Sequence, residues 1–207
     1  MIDLVLVECP NFALESPKMY MPLGNLYLAA VAKQAGYSIY IADFRERIDE
    51  LPKAKYYGFS CTTPQVEIAK KLASRVDGIT IIGGAHPSLL PEDCLGHFDY
   101  IVRGEGEEIL PRILSGKLGR GIINAPRIDN LDNLPFPAWD ECVEPFSKTL
   151  YTGERYGEGN ISMAVITSRG CPYNCAFCGN IHRKPIVFRS PANIIMELIS
   201  LMKRKVH

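Results

Sequence analysis

The chain has no excess of either charge and no long apolar run. Lysines plus arginines number 23, and aspartates plus glutamates also number 23. This balance lacks the basic excess that nucleic-acid binding demands, so we expect no nucleic-acid partner. No apolar stretch reaches the roughly 18 residues of a membrane span, and the short run from Ile2 to Val7 lacks the basic flank of a signal peptide. We therefore expect a reduced, cytoplasmic location and no membrane partner.

The cysteines lack the pairing that is typical of disulfide or zinc proteins. Three of the seven, Cys171, Cys175 and Cys178, stand in a C-x3-C-x2-C spacing. Three thiolates can hold three irons of a [4Fe-4S] cluster and leave the fourth iron free for a substrate or cofactor. Zinc would need a fourth ligand, for which His182 is the nearby candidate. The remaining cysteines stand singly and are predicted to be inert thiols: Cys9, Cys61, Cys94 and Cys142.

Strand-like and helix-like segments alternate through roughly the first 115 residues, the size of one domain. The strands are short and continuously apolar, which indicates a parallel sheet covered on both faces. We predict a doubly wound α/β domain with five strands, near residues 2–7, 37–42, 56–60, 79–82 and 100–103. The helical patterns lie near residues 23–32, 65–75, 92–95 and 107–114.

A doubly wound sheet binds its ligand at the carboxyl ends of its strands, where the strand order reverses. Small and hydroxylic residues cluster at those ends, with glycines that let backbone approach a bulky ligand. The candidate binding residues are Ser60, Thr62, Thr63, Gly83, Gly84, His86, Gly104, Glu105 and Gly106.

Each of these candidates also has an ordinary structural explanation. The glycine pair is typical of a strand-to-helix turn, and the hydroxyl groups could cap the following helix. Acidic residues at a helix start are favoured by the helix dipole. His86 could be a surface turn residue.

The second part of the chain has a different pattern. Residues 118–160 carry several prolines and glycines with little periodicity, which is typical of a linker. Residues 162–167 then predict a strand, and residues 191–205 predict a helix with apolar positions at 194, 195, 198, 199 and 202. We therefore divide the chain into a domain at 1–117, a linker at 118–160 and the start of a second domain at 161–207.

The order of these features resembles the cobalamin-binding radical S-adenosylmethionine (SAM) enzymes. The most specific element is the cysteine loop from Cys171 to Cys178. The segments 21–24, 83–87 and 104–107 resemble the family's α/β domain, and residues 131–137 resemble its interdomain linker.

The resemblance implies a Rossmann-like domain that holds cobalamin across the strand ends, with the nucleotide tail near Ser60 and Gly83. It also implies that SAM chelates the open iron of the cluster and that Phe177 lies near the adenine. An electron from a reductant such as flavodoxin or ferredoxin would cleave SAM to methionine and a 5′-deoxyadenosyl radical. The reaction would be methyl transfer or rearrangement on an unactivated carbon, and no residue of this chain is predicted to be catalytic itself.

One departure concerns the axial ligand of cobalt. Cobalamin domains of the methionine-synthase type supply a histidine from the loop after the first strand, and the stretch from Glu8 to Gly24 contains none. The sequence therefore predicts no histidine on the lower face of the cobalt.

The chain holds the first βα unit of a radical SAM (β/α) barrel, so the resemblance implies a fragment of a longer enzyme that is inactive alone. Two alternatives stay open. One is a non-catalytic cofactor-binding module, and the other is a cobalamin-free domain that serves for docking.

Overall fold

The computed structural model of the protein describes residues 2–14, 21–45, 47–141, 164–179 and 185–203. Within these ranges the strands are β1 (Ile2–Glu8), β2 (Ile39–Asp43), β3 (Ala54–Ser60), β4 (Ile79–Gly83), β5 (Tyr100–Arg103), β6 (Gly121–Asn124), β7 (Ser168–Arg169) and β8 (Val187–Phe188). The α-helices are α1 (Leu23–Gln34), α2 (Val66–Ala73), α3 (Ala85–Leu89), α4 (Ile109–Leu114) and α5 (Pro191–Met202). In the described ranges, no helix has the length and apolar character needed to cross a membrane.

The described part of the chain contains a six-stranded sheet with the order β2-β1-β3-β4-β5-β6. All neighbouring strands in it are parallel. β2 lies on one side of β1, and β3 to β6 follow on the other side. The strand order therefore reverses between β1 and β3. This topology confirms the doubly wound α/β fold.

Helices cover both faces of this sheet. Side chains alternate between the faces of a strand, so Leu4 and Leu6 of β1 pack with α1 and α4, while Val5 and Val7 pack with α2. All four side chains are almost completely buried. Full burial of each contributes about 2 kcal/mol to folding, which explains why the strands read as continuous apolar runs.

The sheet has one strand more than the five that the sequence predicts. Residues Gly121–Asn124 form β6, which pairs with β5 from Tyr100↔Gly121 to Arg103↔Asn124, inside the stretch expected to be linker. The sequence misses β6 because its four half-exposed residues lie at a sheet edge. Their alternation of apolar and polar residues is too short to distinguish a strand from a loop.

One predicted helix is displaced along the chain. The sequence predicts a helix near residues 92–95, where the structure has a 3₁₀ turn at Pro91–Cys94. An α-helix, α3, lies just before it and begins at Ala85, although it contains Pro87. Proline is tolerated in a first turn, because the N–H groups there have no partner within the helix.

The second part of the chain contributes an antiparallel pair, β7 with β8, and the helix α5. Ser190 caps α5 by accepting a hydrogen bond from the backbone N–H of Asn193 at 3.2 Å. The predicted apolar face of α5 is largely exposed, and the side chains that it buries are Asn193, Glu197 and Leu201. The Arg189 guanidinium accounts for this orientation, because it pairs with buried Glu197 and donates to Asn193 Oδ1 at 2.7 Å.

Gly84 connects β4 to α3 at a position that no other residue fits. Its φ is +99°, and a methyl group there would lie 2.8 Å from both the backbone nitrogen and oxygen of Cys61. Gly116 has a φ of +70° with nothing within 4 Å of a methyl group. We expect Gly116→Ala to lower the free energy of unfolding by about 1 kcal/mol and Gly84→Ala by more than about 3 kcal/mol, because only the latter adds a backbone clash. Urea unfolding of both variants tests this, and equal losses would contradict it.

Candidate functional site

A cavity of about 380 Å³ lies between the sheet and the helices α1 and α4. It opens at the carboxyl ends of the strands, next to the reversal of strand order between β1 and β3. This is the position at which doubly wound sheets bind their ligands. The cavity is therefore the candidate functional site.

A glycine in the centre of the sheet makes room for this cavity. Leu6, Gly58 and Ile81 stand in one row across β1, β3 and β4, and all three line the cavity. A Cβ on Gly58 would lie 3.0 Å from Leu6 Cδ2. Since glycine weakens a strand interior, its place here indicates that another group approaches the backbone closely.

The loops at the strand ends form the rim of the cavity. Six of the predicted binding residues line it: Ser60, Gly83, Gly84, Gly104, Glu105 and Gly106. Gly104 has a φ of +97°, and a Cβ on Gly106 would lie 3.2 Å from Leu28 Cδ2. The rim is therefore backbone that a ligand can approach closely.

Three other predicted residues lie outside this lining and have partners of their own. The Thr62 hydroxyl donates to Gln65 Oε1 at 2.7 Å, an ordinary capping contact. Thr63 Oγ1 lies 3.2 Å from His86 Nδ1, and His86 Nε2 lies 3.0 Å from Asp93 Oδ2. His86 is buried, so it is not a surface turn residue. A ligand contact by these three residues stays a prediction.

The sequence analysis missed Asn25 of α1, which also lines the cavity. Its side chain is 1 % exposed, and its Nδ2 donates to Glu8 Oε2 at 2.9 Å. Its Oδ1 has no hydrogen-bond partner in the described structure. A buried, unpaired polar atom costs about 1–3 kcal/mol. The available signal was a lone amide within the apolar run from Leu23 to Ala32.

Glu8, at the end of β1, lies beside Asn25 in an unusual electrostatic environment. The pKa of its carboxyl is raised to about 7, chiefly by burial and to a lesser extent by the negative charge of neighbouring Asp43. The positive charge of Arg45 and hydrogen bonds from Gln65 and Asn25 oppose this shift. Arg45 is itself held by Asp43, through contacts of 2.8 Å and 2.6 Å.

Arg169 closes the cavity from the second part of the chain. Its guanidinium lies 2.6 Å from Glu107 Oε1 and 3.4 Å from Glu105 Oε1, and its Cζ lies 5.2 Å from the centre of the Tyr27 ring. The residue that follows, Gly170, has a φ of +114° and also lines the cavity. The segment that leads into the cysteine loop is thereby tied to the rim of the cavity.

None of the three loop cysteines forms a disulfide bond in the described structure. Cys175 is exposed, Cys171 and Cys178 are half-buried, and the backbone N–H of Cys178 donates to the Cys175 carbonyl at 3.1 Å. In the described ranges, no three metal-binding side chains are gathered tightly enough to hold a metal ion. The donor set suits an iron–sulfur cluster, whose ligands are cysteine thiolates. His182 lies outside the described residues, and Phe177 is 93 % exposed, so its place near the adenine stays a prediction.

The scattered cysteines behave differently from the loop cysteines. Cys9, Cys61 and Cys94 are buried, and Cys142 lies outside the described residues. A hydrogen bond with Cys9, together with burial, raises the pKa of the Cys61 thiol. A raised pKa keeps the thiol protonated, as expected of an inert cysteine.

Residues 13–114 match the B12 binding domain family. The match covers the elements from α1 to α4, with β1 and β6 outside it.

Curated relatives are similar over most of this chain. An uncharacterized methyltransferase of Pyrococcus horikoshii is 28% identical, over 77% of this chain and 40% of that protein. The hopanoid C-3 methylase of Methylococcus capsulatus is 29% identical, over 79% of this chain and 38% of that protein. The bacteriochlorophyllide d C-8(2)-methyltransferase of Chlorobaculum tepidum is 26% identical, over 79% of this chain and 36% of that protein. The chain thus spans about two fifths of the length of the curated relatives that it matches.

A solved structure shares the fold. The radical S-adenosylmethionine methyltransferase TsrM of Kitasatospora setae, with cobalamin and a [4Fe-4S] cluster bound, superposes with a TM-score of 0.64 at 17% identity. The superposition covers 100% of this chain and 47% of that chain. Together with the family match, these similarities confirm the resemblance to cobalamin-binding radical SAM enzymes.

The raised pKa of Glu8 predicts a pH-dependent stability. A folded-state pKa of about 7 against an ordinary 4.5 means that the folded state binds the proton more tightly, so stability falls as the pH rises through this window. Glu8→Gln mimics the neutral acid and removes this loss. We expect Glu8→Gln to exceed the wild type in free energy of unfolding by less than about 1 kcal/mol at pH 5 and by about 3 kcal/mol at pH 8.

Urea unfolding of both proteins at the two pH values measures this difference. The exposed Glu92→Gln serves as a control and should show no comparable change between pH 5 and pH 8. A constant difference between Glu8→Gln and the wild type would mean that Glu8 titrates normally.

Proposed function

We propose that this chain, whose residues 13–114 belong to the B12-binding domain family, is part of a cobalamin-dependent radical SAM enzyme. In this proposal the whole enzyme cleaves SAM reductively at a [4Fe-4S] cluster held by Cys171, Cys175 and Cys178. Its reaction is methyl transfer or rearrangement on an unactivated carbon. The named methyltransferases among the relatives support methyl transfer as the first choice.

The observation that carries the proposal is the cavity above Gly58. It is apolar on its sheet side, lined by backbone at its rim and located where the strand order reverses. A broad, flat cofactor with a tail fits such a space, because the missing side chain at residue 58 admits a group between α1 and the sheet. Cobalamin bound there would supply a cobalt centre that can carry a methyl group.

The residues of this chain would hold and shield the cofactor rather than react with it. Ser60 and the rim glycines offer backbone and hydroxyl contacts, and Arg169 with its two glutamates closes the remaining side. The stretch from Glu8 to Gly24 contains no histidine. We therefore propose a cobalt without a histidine ligand from the loop after β1.

The position of the cysteine loop supports a shared reaction space. Gly170 lines the cavity and directly precedes Cys171, so the first cluster ligand lies next to the cofactor site. We propose that an electron donor such as flavodoxin or ferredoxin reduces the cluster. We also propose a reduced, cytoplasmic location, in which cysteine thiols persist without forming disulfides.

A second candidate function is a cofactor-binding module without catalysis. The observation that favours it is that the three cysteines do not converge in the described structure. Release of 5′-deoxyadenosine from SAM under strong reductant distinguishes the two functions, because the module would release none.

Retention of hydroxocobalamin tests the proposed cofactor. We expect stoichiometric retention through gel filtration by the wild type, and a graded loss for Gly58→Ala and Gly58→Val. An added Cβ lies 3.0 Å from Leu6 Cδ2, so larger side chains crowd the cavity wall that Leu6 and Gly58 share. Gly119→Ala is the matched control, since nothing lies within 4 Å of its Cβ. Circular dichroism of each apo protein establishes that it is folded. Equal retention by the wild type and Gly58→Val would place cobalamin elsewhere.

Anaerobic reconstitution tests the cluster. We expect the wild type to bind iron and sulfide, and the triple variant Cys171→Ala/Cys175→Ala/Cys178→Ala to bind neither. Cys94→Ala, which removes a buried thiol, should reconstitute as the wild type does. A full cluster in the triple variant would refute the ligand assignment.

A further inference from the structure

Ser88 of α3 is a buried serine whose hydroxyl group joins two turns at the rim of the cavity. Its Oγ donates to the Gly84 carbonyl at 2.6 Å and accepts a hydrogen bond from the Gly104 backbone N–H at 3.0 Å. Gly84 follows β4 and Gly104 follows β5, and both glycines line the cavity. Ser88 is 2 % exposed and lies outside that lining. One hydroxyl group therefore connects two parts of the rim from behind.

The two hydrogen bonds of this hydroxyl group differ in kind. A serine in a helix commonly donates to the carbonyl four residues earlier, so the contact with Gly84 has an ordinary structural explanation. The contact with Gly104 has none of this sort, because it joins α3 to the end of a different strand. The Ser88 carbonyl also accepts a hydrogen bond from Arg103 Nε at 3.2 Å. Two hydrogen bonds thus tie Ser88 to the carboxyl end of β5.

The pairing of β4 with β5 stops short of the rim. It ends at Ile82↔Ile101, whereas the pairing of β5 with β6 continues to Arg103↔Asn124. Backbone hydrogen bonds fix the spacing of paired strands, so this ladder sets the spacing of β4 and β5 only as far as Ile82. The Ser88 hydroxyl group bridges the two turns that lie beyond this point.

The spacing of these turns matters because both present backbone to the cavity. Gly84 has a φ of +99° and Gly104 has a φ of +97°, conformations that glycine adopts readily. A side chain can meet a ligand by changing its rotamer, whereas a backbone group has no such freedom and moves only with its turn. The position of the turns therefore decides which ligand surface the rim fits.

We propose that Ser88 is a positioning residue that acts through Gly84 and Gly104, holding the two rim turns at the spacing at which they contact bound cobalamin. This inference rests on the proposed function and adds to it a residue that sets the width of the site. Because Ser88 orders the turns before the ligand arrives, the ligand does not have to order them on binding. Loss of the hydroxyl group therefore lowers the affinity for the cofactor, although Ser88 lies behind the cavity wall.

Hydroxocobalamin binding by serine variants tests the inference. Ser88→Ala removes both hydrogen bonds of the hydroxyl group, and we expect it to weaken binding on the order of 10-fold or more, as measured from the visible spectrum. Ser115→Ala is the matched control. The Ser115 hydroxyl group donates to the Arg112 carbonyl at 3.1 Å within its own helical segment, at an exposed position. This variant should bind hydroxocobalamin as the wild type does.

A second comparison separates positioning from stability. A purely structural role of Ser88 would lower the resistance of the protein to urea and leave the affinity of the folded protein unchanged. Leu72→Val provides the reference, because Leu72 is buried on the opposite face of the sheet and its loss of a methylene group destabilises the fold. We expect Leu72→Val to unfold at a lower urea concentration than the wild type and to bind hydroxocobalamin equally well.

Exchange of the Gly104 amide hydrogen, followed by NMR on the apo proteins, locates the effect. We expect faster exchange in Ser88→Ala than in the wild type, and an unchanged rate in Ser115→Ala. Unchanged exchange or unchanged affinity in Ser88→Ala would overturn the inference and leave the proposed function intact. An equal loss of affinity in Leu72→Val would assign the effect to stability and also overturn the inference. Failure of the wild type to bind hydroxocobalamin would overturn the proposed function and the inference together.

Discussion

The row of Leu6, Gly58 and Ile81 across the three central strands is the constraint on which the site depends. Two large aliphatic side chains flank a position with none, and close packing of α1 and α4 against that row leaves a void instead of a filled core. Interiors of proteins pack at nearly crystalline density, so a void in the most buried part of a sheet is costly. A bound group that fills it recovers the lost contacts, and this relation connects the fold to the function.

The polar groups around the void fall into two classes. Arg169 forms ion pairs with Glu105 and Glu107, so both carboxylates on that side already have a cationic partner without a ligand. Glu8 and Asn25 form a pair in which one carboxyl group has a raised pKa and one amide oxygen lacks a partner. The first class stabilises the apo protein, and the second lowers its stability. Polar groups that lower the stability of the apo protein are typical of functional sites, where residues are selected for ligand recognition as well as for folding.

The sequence was most informative where a single physical rule decided the structure. Continuous apolar strands predicted the doubly wound sheet, and glycines at strand ends predicted most of the rim. Thr62 was selected with them because a hydroxyl group before a helix has the same sequence pattern whether it caps the helix or binds a ligand. Thr63 was selected for the same reason, and its contact with His86 is distant in sequence. β6 was missed because four residues at a sheet edge carry little pattern. Asn25 was missed because its hydrogen-bond partner Glu8 is adjacent in space and not in sequence. The cysteine spacing specified the donors, whereas their convergence depends on the path of the loop.

The walls of the cavity come from both parts of the chain. The sheet, α1 and α4 supply most of it, whereas Ile166, Arg169 and Gly170 lie beyond the stretch expected to be linker. A boundary drawn at the end of the sheet would therefore divide a binding site between two pieces, and neither piece would contain all of it. Any molecule that fills the cavity touches both parts and adds its binding free energy to their association, so the ligand acts as a non-covalent cross-link between the α/β domain and the cysteine loop.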